Sequence, residues 1–422
     1  MLILVASVGG SADPIASAIA ARRPDRVVFL ASEPRGEKPG SVGEIPGILQ
    51  KAQRPKQAHD IVRLADPDDP EAAFLALREA VGRLRADHPG ARLLFDYTGG
   101  TKSMTSAVFQ CALAIAGAEL QFMAGRREDL RTVKPGTERP TAIPVAWLLA
   151  ERQEARLRAA WKAFDYAAAA AGYRRLHEDL GGDEKAPEEL RQRLADLAAI
   201  SEAFELWDRF RHADAAAILA AVEPRVRGLR PFREQAEACT RQTPARILDL
   251  WRNAERCAAR GRHDDAVARL YRLVEWIAQW RLHEKHGLDA SRMDWNRLSQ
   301  KQIAAAGLSE QTAKKTLSGS VQAWKLVATV EPEGVVSEFL SAPFSAKDRK
   351  KTGEGRLRDM LDLRNHSILA HGERPLGEAE WEKWMVFADE LHRRVLSPLL
   401  QEAGVSGRLP PQLPRDPAEL GL

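Results

Sequence analysis

Residues 361–372 read Leu-Asp-Leu-Arg-Asn-His-Ser-Ile-Leu-Ala-His-Gly and bring Arg364, Asn365 and His371 onto one short segment. Arginine offers a planar, permanently charged fork for phosphate oxygens, and histidine can give or take a proton near neutral pH. On a continuous helix the seven residues from Arg364 to His371 turn through about 700°, so both would project from one face about two turns apart. A phosphodiester would fit between them. Together an Arg and a His so placed could cleave a phosphodiester of RNA. That reaction needs no metal.

Arg256 and His263 share the same spacing. The later copy differs in its setting: Leu357, Met360 and Leu361 make an apolar stripe on the approaching helix, and Arg364 continues it. A structural alternative is that Arg364 pairs with a nearby Asp while His371 ends a helix before Gly372. His366 reads as a solvated helix residue. The basic run Lys347, Arg349, Lys350, Lys351, Arg356 and Arg358 either guides RNA or is a solvated face.

A second chemistry lies near the N-terminus. One apolar run leads into Ser7-Val8-Gly9-Gly10-Ser11, another into Asp96-Tyr97-Thr98-Gly99-Gly100-Thr101-Lys102-Ser103, and each loop precedes a helical pattern. At the carboxyl edge of a parallel sheet, glycines let a ligand approach the backbone and helix N-termini direct amides toward anions. Lys102 adds charge, while Ser7, Ser11, Thr98, Thr101 and Ser103 add hydroxyls. The loops lack both the P-loop spacing and Gly-x-Gly-x-x-Gly. Either the glycines only make tight turns, or Gly9, Gly10, Gly99 and Gly100 frame a nucleotide-like ligand.

The elements that must position these groups fall into two kinds. Residues 1 to about 148 alternate apolar runs at Met1–Val8, Arg26–Ala31, Asp60–Leu64, Arg92–Tyr97 and Glu119–Ala124 with helical stretches at Pro14–Ala21, Glu71–Ala86 and Met104–Ala116. This is βα alternation and predicts a Rossmann-like α/β domain with a parallel sheet. All ten tryptophans lie at or beyond Trp147, where the chain becomes rich in Ala, Leu, Arg and Glu with helical periodicity. Gly181-Gly182 and the stretch from Glu223 to Pro231 punctuate that region. The expected division is a sensor-like domain at 1–148, a helical linking region at 149–245, an all-α domain at 246–400, and a proline-rich tail on the surface at 401–422.

The 422 residues provide material for several cores. With 63 basic against 59 acidic residues, any surface for a polyanion must be local. Cys111, Cys239 and Cys257 have no paired spacing, which speaks against a disulfide framework or zinc cage and for a reducing cytoplasm. No basic leader precedes Leu2–Val5 and no apolar stretch reaches the ~20 residues of a membrane span, so the expectation is a cytoplasmic protein with no membrane partner.

Taken together, these motifs resemble the CRISPR-associated CARF–HEPN ribonucleases that accompany type III interference complexes. Asp96–Ser103 is similar to the CARF signature loop and Ser7–Ser11 to its partner after the first strand. Arg364-Asn365 to His371 resembles the HEPN motif, its six-residue spacer at the long end of the family range, and Arg269–Glu275 resembles an early HEPN helix. The resemblance implies a homodimer whose CARF domains bind cyclic tetra- or hexa-adenylate as an allosteric activator of single-stranded RNA cleavage in antiviral defence. It implies no metal, no other cofactor and no stable DNA binding. The block at 149–245 matches no motif. Two alternatives stay open: a ligand-responsive regulator that binds a partner or RNA without cutting, and a CARF domain that cleaves its own cyclic ligand through Ser11 or Thr98 with Lys102.

Overall fold

The computed structural model describes residues 1–422 apart from 35, 37–39, 116, 126–136, 144, 182–185, 313, 315 and 346–348; for 145–149, 151, 152, 181 and 310 it describes the backbone alone. Ala116, Gly182 and Lys347, which the sequence analysis used, fall outside the described residues. The chain divides into two compact units, one of residues 1–154 and 176–191, the other of 155–175 and 192–422.

The first unit contains strands β1 (Leu2–Ser7), β2 (Arg26–Ser32), β3 (His59–Leu64), β4 (Arg92–Asp96), β5 (Glu119–Ala124) and β6 (Arg139–Ile143), with helices α1 (Asp13–Arg22), α2 (Ile45–Lys51), α3 (Pro70–Asp87) and α4 (Lys102–Ala114). The sheet order is β3-β2-β1-β4-β5-β6. The first five strands are parallel, as expected, and β6 is an antiparallel edge strand pairing Leu120 with Ile143. This sixth strand is not among those expected from the sequence. Pro140, which would break an internal strand, is acceptable at an edge.

The continuous apolar runs arise because both sheet faces are covered. In β1, Ile3 and Val5 pack with α3 and α4 residues such as Leu77, Met104 and Val108. Leu4 and Ala6 pack on the other face with Ile15, Ile19 and Ile48. The strand order reverses between β1 and β4, so the carboxyl ends of these two strands flank the crevice where doubly wound sheets bind ligands. Both glycine-bearing loops leave from there.

Helices follow: α5 (Val145–Lys162), α6 (Tyr166–Gly181), α7 (Glu188–Asp208), α8 (His212–Val222), α9 (Arg230–Arg241), α10 (Thr243–Ala259), α11 (His263–His286), α12 (Gln300–Ala305), α13 (Ser320–Val330), α14 (Val335–Ser341), α15 (Gly353–Asn365), α16 (Glu378–Leu391) and α17 (Ser397–Glu402). Within the second unit one turn recurs three times. Phe164, Phe210 and Gly261 adopt left-handed backbone with φ of 57°, 62° and 71°. Two residues on, Tyr166, His212 and His263 each begin a helix, and five residues on, Ala169, Ala215 and Ala266 are fully buried. The capping bonds repeat as well: Asp165 N to Ala160 O at 2.8 Å, Arg211 N to Leu206 O at 2.9 Å and Arg262 N to Cys257 O at 3.0 Å.

The core of this unit centres on Leu270, Leu273, Trp324, Phe339, Leu357 and Trp384. A buried ion pair joins Arg281 to Glu331 through 2.7 and 2.8 Å bonds, with His286 at 2.7 Å from the same carboxylate. The proline-rich C-terminal segment, expected to lie on the surface, buries Leu413 and Leu420. Its carbonyls are the reason it is held: Pro410 O accepts from Arg252 Nε at 2.7 Å and Pro414 O from Tyr166 Oη at 2.6 Å. No helix among the described residues is long and apolar enough to cross a membrane.

Candidate functional site

At the carboxyl ends of β1 and β4 the two glycine loops pack against each other. A Cβ added to Gly9 would lie 2.6 Å from Gly100 N, and one on Gly99 would lie 2.7 Å from Ser7 O. Gly100 has φ of +95°. These three glycines are therefore required by the neighbouring loop itself, whereas Gly10 faces open space. The hydroxyls are also engaged. Ser7 Oγ donates to Gly99 O, Thr98 Oγ1 donates to Asp96 Oδ1 at 2.5 Å and accepts from Met123 N at 2.7 Å, Thr101 Oγ1 donates to Pro67 O at 2.5 Å, and Ser103 Oγ donates to Asp68 O at 2.8 Å.

Behind the loop, Asp96 is buried and accepts from Gln121 Nε2 at 2.8 Å, while Gln121 Oε1 accepts from Arg22 Nε at 2.8 Å. Burial pushes the Asp96 carboxyl above its ordinary range, against the hydrogen bonds from Thr98 and Gln121. Among the described residues, Ser11 and Lys102 are the predicted side chains that stay exposed and make no internal side-chain bond. Lys102 is the first residue of α4, with Thr101 as its cap, so it stands at the helix N-terminus, whose free amides favour an anion.

In the helical unit, Thr352 caps α15 by accepting from Gly355 N at 3.2 Å. The stripe of Leu357, Met360 and Leu361 is buried as its spacing predicts. Arg364, one turn further, has its guanidinium carbon 4.4 Å from the ring centroid of Tyr271 on α11. Tyr271 lies in the Arg269–Glu275 segment picked out in the sequence. Arg364 makes no ion pair among the described residues, and its Nε is buried without a hydrogen-bond partner, so the structural alternative of an Asp partner is not what is found.

The expectation that His371 lies two helical turns beyond Arg364 is corrected. The helix stops at Asn365, and the chain closes into a compact turn. Ser367 N bonds to Arg364 O at 2.9 Å, Gly372 N to Ser367 O at 3.1 Å and His371 N to Asn365 O at 3.2 Å. Gly372 makes the closure possible, since a Cβ there would sit 2.0 Å from His366 O. His371 thus returns to the helix end by folding back, its backbone bonded to Asn365; it is exposed, whereas Arg364 and Asn365 are half-buried. His366 anchors its own turn, with Nδ1 at 2.7 Å from Asp362 O. Ile368 and Leu369, between the two motif residues, are 55% and 51% exposed.

The second copy of the spacing is structural. Arg256 is buried, with Nε 2.8 Å from Asp208 Oδ1 and Nη1 2.7 Å from Gln412 Oε1. In the basic run, Lys351 pairs with Asp359 at 2.6 Å and Arg358 with Glu354 at 2.8 Å, which offsets much of its charge, while Arg349 and Lys350 are exposed. One cluster was not visible in the sequence: His212, Cys239 and Asp249 are buried with potential ligand atoms within 4.8 Å of one another. Asp249 already accepts from Trp207 Nε1 at 2.8 Å and lies 2.9 Å from His212 Nε2, with the Arg256 guanidinium at 3.7 Å. Burial also pushes the Cys239 thiol up. A cation there would meet an arginine and a protonated thiol, so the donor set fits a buried hydrogen-bond network better than a metal.

Residues 235–395 match the family model described as the Csm6 HEPN domain. Among solved structures, the chain is similar to Enterococcus italicus Csm6 bound to cyclic hexa-2′-fluoro-hexa-dAMP, with a TM-score of 0.63, 12% identity and 95% of each chain covered. At that identity the likeness is one of fold. Protein VC1899 from Vibrio cholerae aligns over 49% of this chain and 68% of its own at 12% identity, with a TM-score of 0.24, and carries no argument. No curated protein matches the sequence. The match agrees with the HEPN part of the resemblance over 235–395, and the shared fold agrees with its two-part architecture.

Proposed function

We propose that this chain, with a Csm6-type HEPN segment at 235–395 and the fold of a CARF–HEPN protein, is a cyclic oligoadenylate-activated, metal-independent endoribonuclease of type III CRISPR defence. The observation that supports this reading most is the closed turn inside the HEPN-matching segment, in which His371 N bonds to Asn365 O at the end of the helix that carries Arg364. His371 moves the proton of the attacking 2′-hydroxyl or of the leaving 5′-oxygen. Arg364 stabilises the charge on the phosphate as the 2′-O–P bond forms and the P–O5′ bond breaks. The products are a 2′,3′-cyclic phosphate and a 5′-hydroxyl.

The active form is a homodimer. Ile368 and Leu369 are apolar, exposed and sit between the motif residues, so a second copy covering them in an isologous contact would bring two Arg–His sets to one substrate. The sensor spans 1–148 and binds the ring through Ser11, Lys102, Gly10 and the loop amides. Ser7, Gly9, Thr98, Gly99, Gly100, Thr101 and Ser103 shape that site. The neighbour solved with a six-unit ring makes cyclic hexa-adenylate the first activator to try. The test is to incubate labelled single-stranded RNA with the protein in EDTA, adding cyclic tetra- or hexa-adenylate in turn. Cleavage with one ring and not without it is expected; strict dependence on magnesium would contradict the mechanism.

A further inference from the structure

A cavity of about 550 Å³ opens along α11, lined among others by Arg272, Trp276, Gln279, His283 and Asp289. Trp276 is half-buried, and two guanidiniums lie against its indole, Arg246 at 5.5 Å and Arg272 at 5.6 Å from the ring centroid. The cavity joins the proposed active site through named contacts. Arg272 Nη1 is 3.2 Å from Glu275 Oε2, Glu275 Oε1 accepts from Ser320 Oγ at 2.7 Å, and Ser320 Oγ is 3.4 Å from the Tyr271 hydroxyl, whose ring carries Arg364. Tyr271 and Trp276 are five residues apart on one helix, about 7.5 Å along its axis and about 140° around it, so a strand reaching from Arg364 to the cavity passes around the helix by way of Arg272 and Glu275.

The chemistry of the walls selects the occupant. A phosphate would favour the arginines but meet the Asp289 carboxylate, which both Ser291 hydrogen bonds, at 2.8 and 2.7 Å, hold below its ordinary range. A nucleobase suits all of them. Its face stacks on indole or guanidinium planes, and its edge finds an acceptor in Asp289 and groups that donate or accept in Gln279 and His283. We propose that this cavity is a base-binding subsite that holds a nucleotide of the RNA substrate next to the scissile phosphate. The inference rests on the ribonuclease reading of Arg364 and His371.

The test uses full-length His371→Ala protein with cyclic hexa-adenylate. The probes are a labelled single-stranded RNA and the same RNA carrying one abasic ribose, walked along its length, with affinity read by fluorescence anisotropy. The expected result is one abasic position that weakens binding about tenfold, and loss of that penalty when Trp276→Leu or Arg272→Ala is added. Arg272 is exposed, so its variant keeps the test valid if Trp276→Leu disturbs folding. An abasic penalty equally large in both variants, or no sensitive position, overturns the subsite. If the parent protein neither binds nor cleaves RNA, the ribonuclease reading falls with it; if it cleaves RNA with indifference to these changes, the subsite alone falls.

Discussion

Arg364 has an aromatic ring beneath its guanidinium and, among the described residues, no carboxylate paired with it, a setting that orients the group while leaving it open to phosphate. Replacing Tyr271 by Leu should lower the RNA cleavage rate about tenfold, the scale of a partly desolvated cation–π contact, whereas Tyr271→Phe should retain most of it. Equal rates in all three proteins would deny Tyr271 a positioning role. Lys102→Ala should raise the cyclic oligoadenylate concentration for half-activation by roughly 10- to 150-fold, since a charge-assisted contact is worth about 1.5–3 kcal/mol. Unstimulated cleavage should not change. Arg256→Ala, by contrast, should destabilise the fold, because it removes the buried guanidinium between Asp208 and Asp249 and leaves their remaining partners, Arg260 and Asn253 for one and His212 and Trp207 for the other, to carry them.

The recurring turn at Phe164, Phe210 and Gly261 sets an unusual local condition, because a bulky residue in left-handed backbone costs roughly 1–2 kcal/mol. Phe210 is 43% exposed and Phe164 only 5%. Thermal unfolding should therefore find Phe210→Gly within about 1 kcal/mol of the parent, the relief offsetting the lost contact, and Phe164→Gly destabilised by about 2–3 kcal/mol as the cavity cost dominates. A large loss at Phe210 would mean that its ring, near Arg269, packs as part of the core. Strands β1, β2 and β4 were legible because a sheet buried on both faces leaves unbroken apolar runs. The turn was not, because Phe replaces Gly at two of its three sites and the spacings are unequal. The end of α15 was equally hidden: nothing in Asn365-His366-Ser367 forbids a helix, and closure depends on the approach of Gly372 to His366 O, a tertiary event. Likewise the loop hydroxyls read as ligand groups because their internal acceptors, Pro67 O and Asp68 O, come from a distant part of the chain.

At the scale of the whole molecule, the helical unit is tied together by Arg281, Glu331, His286 and Glu402. Burial works to raise the Glu331 carboxyl, but the Arg281 and His286 hydrogen bonds outweigh it and hold it below 4.5. With a folded-state value below the unfolded one, the stabilisation is present above pH 4.5 and is lost as the pH falls through the folded-state value. The melting temperature should drop on acidification below pH 4.5, and less steeply in Glu331→Gln, which itself should cost about 3 kcal/mol at neutral pH. A parallel acid response in the two proteins would exclude Glu331 as a source. A ring of repeated units suits a two-fold axis, so calorimetry should find one cyclic oligoadenylate per two chains; one per chain would contradict a shared site. The central claim, that Arg364 and His371 cut RNA through its own 2′-hydroxyl, is tested most directly by analysing the ends of the products formed in EDTA with activator present. The account predicts 2′,3′-cyclic phosphate and 5′-hydroxyl ends from the parent protein and no products from His371→Ala; 5′-phosphate ends, or undiminished cleavage by the His371 variant, would contradict it.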